Sequence, residues 1–152
     1  MNAVAKLFRR AMLVSFVCGG LLALGSCVPI AGTRVDVEVR SFTVTPNPTS
    51  APAGSITFRV RNTGTENHEF LVIKTDLPDD ALPTEANGSY QENGPGTEII
   101  DEIEAIPPGA TRNLTLDLET GKYVLICNLV EVEDGEIEAH YAEGMHAAFT
   151  VE

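Results

Sequence analysis

The chain has 152 residues, 43% of them hydrophobic and 6% aromatic with no tryptophan, which is room for one domain around one core. A formal net charge of −12 argues against a nucleic-acid binder and against a protein held flat on an anionic bilayer by its own surface charge.

That charge is unevenly placed. Lys6, Arg9 and Arg10 precede an uncharged run from Ala11 to Thr33, and all the acid lies beyond it. A basic flank followed by a short apolar core predicts an export signal over residues 1–26. Its end, Leu24-Gly25-Ser26-Cys27, resembles a bacterial lipobox. The resemblance implies cleavage before Cys27, lipid attachment to its sulfur, and a membrane anchor on the extracytoplasmic side. An ordinary signal peptide and an uncleaved anchor are the alternatives, and all three export the rest of the chain. Arg9-Arg10 followed by Met12-Leu13 is in addition a partial twin-arginine match. Without residues 1–26, 7 basic residues face 22 acidic ones, a charge near −15.

Residues 27–34 read as a short tether and residues 35–152 as the folded domain. Val35, Val37 and Val39 alternate with charged residues, the period of a half-buried strand, and Phe42 and Val44 continue it after a one-residue slip. The proline-rich stretch 45–54 cannot be a central strand. Ile56, Phe58 and Val60 mark a second strand, and Asn62 to Thr65 a turn. A third strand runs from about Asn67 to Lys74, with His68, Phe70 and Val72 on one face, so His68 is expected to point inward. Residues 75–106 are acidic and read as a long surface excursion with a short helix or strand near 98–104.

Pro107-Pro108-Gly109 turns the chain into the alternating Leu114, Leu116 and Leu118. Further strands follow at Lys122–Asn128 and about Ala147–Glu152. Six or seven short strands without an amphipathic helix predict an all-β domain, a Greek-key β-sandwich or small barrel. Cys18 leaves with the signal and Cys27 would carry lipid, so Cys127 has no disulfide partner. It is buried and inert, reactive, or bound to a metal.

The remaining soft and borderline ligands are His68, His140, His146 and Met145. Two imidazoles and a thiolate in a plane with a distant thioether make the blue-copper electron-transfer centre, whose mixed donors suit both Cu(I) and Cu(II). With AGSITFRVRNTGTENHEF (53–70), PGATRNLTLDLETGKYVLIC (108–127) and HYAEGMHAAFTV (140–151), the chain resembles the cupredoxins, the plastocyanin and azurin family. The resemblance implies one type 1 copper held by His68, Cys127, His140 and Met145. It also implies single-electron transfer through Cys127 and an exposed edge of His140, and a redox protein as partner rather than a small-molecule substrate or nucleic acid. The acid near the copper end would steer a basic docking face.

Two features depart from the family pattern. Twelve residues separate Cys127 from His140, five of them acidic, where relatives have a few; an acidic hairpin tipped at Asp134-Gly135 accounts for them. Glu69 stands where relatives often carry an asparagine that braces the cysteine loop. His146 follows Met145 directly, points the other way in an extended segment, and is left out of the site. Tyr141 reads as packing beside the ligands. Copper capture and delivery is the alternative function, and a metal-free adhesive sandwich with a merely buried Cys127 is a third. An enzyme is least compatible, because three histidines without a His-x-His pair leave too few ligands for further copper sites.

Overall fold

The computed structural model describes residues 32–133 and 135–152. The export signal expected over residues 1–26 and the lipid attachment expected at Cys27 fall outside the described residues. Eleven strands are described: β1 (Thr33–Arg40), β2 (Thr43–Asn47), β3 (Ser50–Ala51), β4 (Gly54–Asn62), β5 (His68–Thr75), β6 (Thr97–Ile106), β7 (Thr111–Leu118), β8 (Gly121–Ile126), β9 (Val130–Glu133), β10 (Glu136–Ala139) and β11 (His146–Val151). They form a four-stranded sheet in the order β2-β1-β4-β7, a five-stranded sheet in the order β3-β11-β8-β5-β6, and the separate hairpin β9–β10. The all-β sandwich expected from the alternation is what the chain adopts.

The alternation writes the core directly. Val35, Val37 and Val39 of β1 and Ile56, Phe58 and Val60 of β4 face inward from the first sheet. Phe70, Val72, Tyr123, Leu125 and Phe149 meet them from the second. Phe58 is the hub, its ring 5.6 Å from Phe70 and 5.3 Å from Phe149 in tilted and edge-on arrangements that aromatic pairs favour.

Three sequence expectations change. Phe42 and Val44 do not continue β1. The chain reverses after Arg40, pairs Arg40 with Thr43, and sets Val39 opposite Val44. A two-residue reversal preserves the inward alternation across it, so a hairpin and a one-residue slip leave the same pattern. The strand count also rises, because Pro46 sits in β2, an edge strand whose outer side needs no donor. The excursion, finally, ends in a ten-residue strand rather than a short element. Two register shifts between β5 and β6 break the period there, and the acidic β6 forms an edge of its sheet.

β5 and β8 are buried on both faces. Leu71, Ile73, Val124 and Ile126 point away from the sandwich core and pack with Leu82, Tyr90 and Tyr141 in a second cluster. Residues 76–96 are therefore a cover on the outer face of the sheet. Their continuous apolar partners, Phe70 to Ile73, have the run expected of a strand without a wet side.

One buried amide ties this frame to the end of the sandwich that carries His68. Asn62 is fully buried, and its Nδ2 donates to the carbonyls of Glu66 and Ile106, each at 2.7 Å, while its Oδ1 accepts from Gly64 N–H at 2.8 Å. The turn between β4 and β5 is thereby fixed against the end of β6, and His68 is delivered at its exit.

Candidate metal centre

Strand order places the expected ligands at one end of the five-stranded sheet. β5 begins with His68, β8 runs out into Cys127, and β11 is entered through Met145. β11 and β8 pair with His146 opposite Ile126, so Cys127 and Met145 meet just past the ladder, where Cys127 N–H donates to the Met145 carbonyl at 3.1 Å. His140 closes the base of the β9–β10 hairpin, its N–H donating to the Leu129 carbonyl at 2.9 Å. Met145 N–H in turn donates to the His140 carbonyl at 3.0 Å. The long spacer is thus taken up by the hairpin: past Cys127 only Asn128 and Leu129 precede it.

The side chains converge. Nδ1 of His68 and Nδ1 of His140 are 3.3 Å apart, and Cys127 Sγ is 3.9 Å from the first and 3.4 Å from the second. All three residues are buried, as is Met145, which lies in the core cluster with Cys127. An ion bound in a plane at about 2.0 Å to nitrogen and about 2.3 Å to sulfur needs separations of about 3.5 Å between nitrogens and about 3.7 Å from nitrogen to sulfur. The observed triangle matches those dimensions.

Electrostatics supports the same use. Burial, with repulsion from His140, lowers the pKa of His68, the nearby Glu66 opposing, so the ring is held neutral with a lone pair to give. Burial pushes the Cys127 thiol up to about 12, against main-chain N–H groups of Glu69 and Leu129 that favour the thiolate. Glu69 N–H donates to Cys127 Sγ at 3.3 Å. A thiol this dry ionises only when a cation takes the place of its proton. Among the described residues, Nε2 of His68 and of His140 have no hydrogen-bond partner, so neither ring is oriented there by a bond on its far side.

The brace expected of an asparagine after the first histidine is supplied by Glu69 itself. Asn128 N–H donates to the Glu69 carboxyl, whose pKa is nevertheless raised to about 7, chiefly by burial and further by Glu102, Glu92 and Glu104. The 76–96 cover adds a second brace that sequence reading missed. Tyr90 N–H donates to Asn128 Oδ1 at 2.6 Å, and Asn128 Nδ2 donates to the Tyr90 carbonyl at 3.1 Å. No local spacing announces a pairing between residues 38 apart.

His146 stays outside the cluster and pairs with Asp79, its Nδ1 2.8 Å from the carboxylate. Tyr141 lies in the outer cluster with Leu82 and Tyr90, accepting from Leu82 N–H at 2.9 Å and donating to the Asp79 carbonyl at 3.0 Å. One expectation is overturned: His140 presents no exposed edge. Its residue is 0% exposed, because the hairpin sets Glu131 and Glu138 over Nε2 at 3.9 and 3.8 Å.

Solved structures with this architecture include auracyanin from Roseiflexus castenholzii. The likeness covers 80% of this chain and 98% of that one at a TM-score of 0.55 and 20% identity. The rusticyanin of Thiobacillus ferrooxidans gives a TM-score of 0.53 at 20% identity over 80% of this chain and 79% of its own. Auracyanin A of Chloroflexus aurantiacus, described as a "blue" copper protein, gives 0.52 at 17% identity over 80% of this chain and all of that one. The chain has the cupredoxin fold. No family model matches the chain. In sequence it is similar to EfeO, an iron uptake system component. The match to the Yersinia pestis protein is 25% identical over 114 residues and that to the Yersinia pseudotuberculosis protein 25% over 134, or 75% and 86% of this chain. The chain spans about a quarter of the length of these curated relatives.

Proposed function

We propose that this chain is an extracytoplasmic type 1 copper protein that carries single electrons between redox partners and catalyses no reaction of its own. The observation that carries the reading is the buried triangle of His68 Nδ1, His140 Nδ1 and Cys127 Sγ. Cys127, His68 and His140 would supply the strong donors and Met145 the thioether beside them. Bound copper would supply a one-electron couple, which a donor set between the preferences of Cu(I) and Cu(II) keeps accessible in both directions.

The residues around the ligands do the rest. Buried neighbours exclude water, and the Glu69 N–H holds charge on the Cys127 sulfur. Glu69 and the Tyr90–Asn128 pair fix the loop leaving β8, so the donors keep their places when the charge at the centre changes. With the His140 edge covered, the hairpin carries the surface through which a partner approaches. Its acid suits a partner with a basic docking face, raising encounter rate more than affinity. An export signal on residues 1–26 and a lipid on Cys27 would hold the domain at a membrane surface outside the cytoplasm.

The test is electrochemical. The copper-loaded protein should show a reversible one-electron couple and hold its metal against a chelator. Prompt loss of copper to the chelator with sluggish reduction would replace electron transfer by metal handling. That second reading is favoured by the iron-uptake name of the relatives and by the acid laid over His140.

A further inference from the structure

The hairpin β9–β10 is patterned inside out. Its register sets Glu131 opposite Glu138 and Val132 opposite Ile137. Alternate residues of a strand take opposite faces. The two glutamates therefore turn toward the metal end, while Val132 and Ile137 are left 71% and 61% exposed. Like charges directly opposite one another on a two-stranded ladder repel. Here they also sit 3.9 and 3.8 Å from Nε2 of His140, a buried nitrogen without a hydrogen-bond partner among the described residues.

Glu66 reaches the same point from the turn between β4 and β5. Its carbonyl accepts from Asn62, and its carboxylate accepts from the Ser41 hydroxyl, so it is fixed at both ends. One carboxylate oxygen of Glu66, one of Glu131 and a ring nitrogen of His140 lie within 4.8 Å of one another. Phe42 packs edge-on against the His140 ring, with centroids 5.7 Å apart, and holds its plane. The ring thus faces a thiol and an imidazole on one side and carboxylates on the other.

We propose that Glu66, Glu131 and Nε2 of His140 form a second cation site, which takes a divalent transition-metal ion of borderline hardness such as Zn(II). Two carboxylate oxygens and one imidazole are a donor set such ions accept. When copper occupies Nδ1, the second ion displaces the Nε2 proton to solvent, and the ring carries an ion on each nitrogen. Only this bridging arrangement rests on the copper reading; the cation site itself rests on the hairpin.

Zinc, silent in the visible, is the probe. Titrating Zn(II) by calorimetry into protein already holding one equivalent of Cu(II) should show one further equivalent bound and a shift in the copper spectrum. E66Q and E131Q should each weaken that equivalent by tenfold or more. Copper-loaded protein that takes up no zinc, or takes it up equally well in both variants, overturns the proposal. Should the chain bind no copper, the same titration on the C127A/H68A double variant separates the two readings. Zinc uptake there that E131Q abolishes upholds the cation site without the bridge, and uptake unaffected by E131Q overturns it.

Discussion

The frame of β5, β8 and β11 and the hairpin β9–β10 meet at His140 and obey opposite rules. In the frame, apolar side chains face inward on both sides of the sheet, and beside it the buried Asn62 is satisfied by three hydrogen bonds. In the hairpin, glutamates face inward and the apolar pair Val132 and Ile137 faces solvent. Burial of apolar area holds the frame together. The hairpin buries little beyond Ala139 at its base, and its glutamates face His140.

The contrast can be broken from the frame side first. Phe58→Ala, at the aromatic hub, should cost about 3–5 kcal/mol, read as a lowered urea midpoint at unchanged slope. A loss under about 1 kcal/mol would mean that the sandwich core does not carry the fold.

A smaller effect belongs to Glu69, where frame and site touch. Its carboxyl titrates at about 7 when folded against an ordinary 4.5. Between those values the unfolded chain has released a proton that the folded chain keeps. Stability of the metal-free protein is therefore lost as pH rises from 4.5 through 7, and levels off above. Urea midpoints across that range should fall for the native chain and stay flatter for Glu69→Gln. An equal slope in both would place the titrating group elsewhere.

Changes in the hairpin should be milder still. Replacing residues 130–139 by an Asn-Gly turn keeps the Leu129–His140 hydrogen bond as its base and should alter stability by no more than about 1 kcal/mol. It should preserve the copper spectrum, expose His140 and abolish second-site zinc binding. Loss of the copper spectrum on this replacement would make the hairpin part of the primary site. Val132→Ser should move the midpoint least, by within about 0.5 kcal/mol, because the side chain is already in water.

The same contrast governs what could be read from the chain. Strands whose alternation meets a core on one side were legible residue by residue: Val35 to Val39, Ile56 to Val60 and Leu114 to Leu118 all fell where their period placed them. The convergence of His68, Cys127 and His140 came from resemblance plus the inward face of β5, since spacing alone does not bring together residues 59 and 13 apart. What escaped was set by long-range partners. Tyr90 reaching Asn128, and Glu69 taking the asparagine's part, depend on a cover whose acidic composition resembles an ordinary solvated loop. The burial of His140 escaped for the same reason: a hairpin can be inferred from Asp134-Gly135, but the direction in which it folds cannot.

The central claim is that the buried triangle holds one type 1 copper. One equivalent of Cu(II) added to the soluble domain should bind and give an intense thiolate charge-transfer band in the visible, and Cys127→Ser should abolish that band while the β-sheet signal persists. A colourless native protein that leaves the added copper in solution would contradict the account.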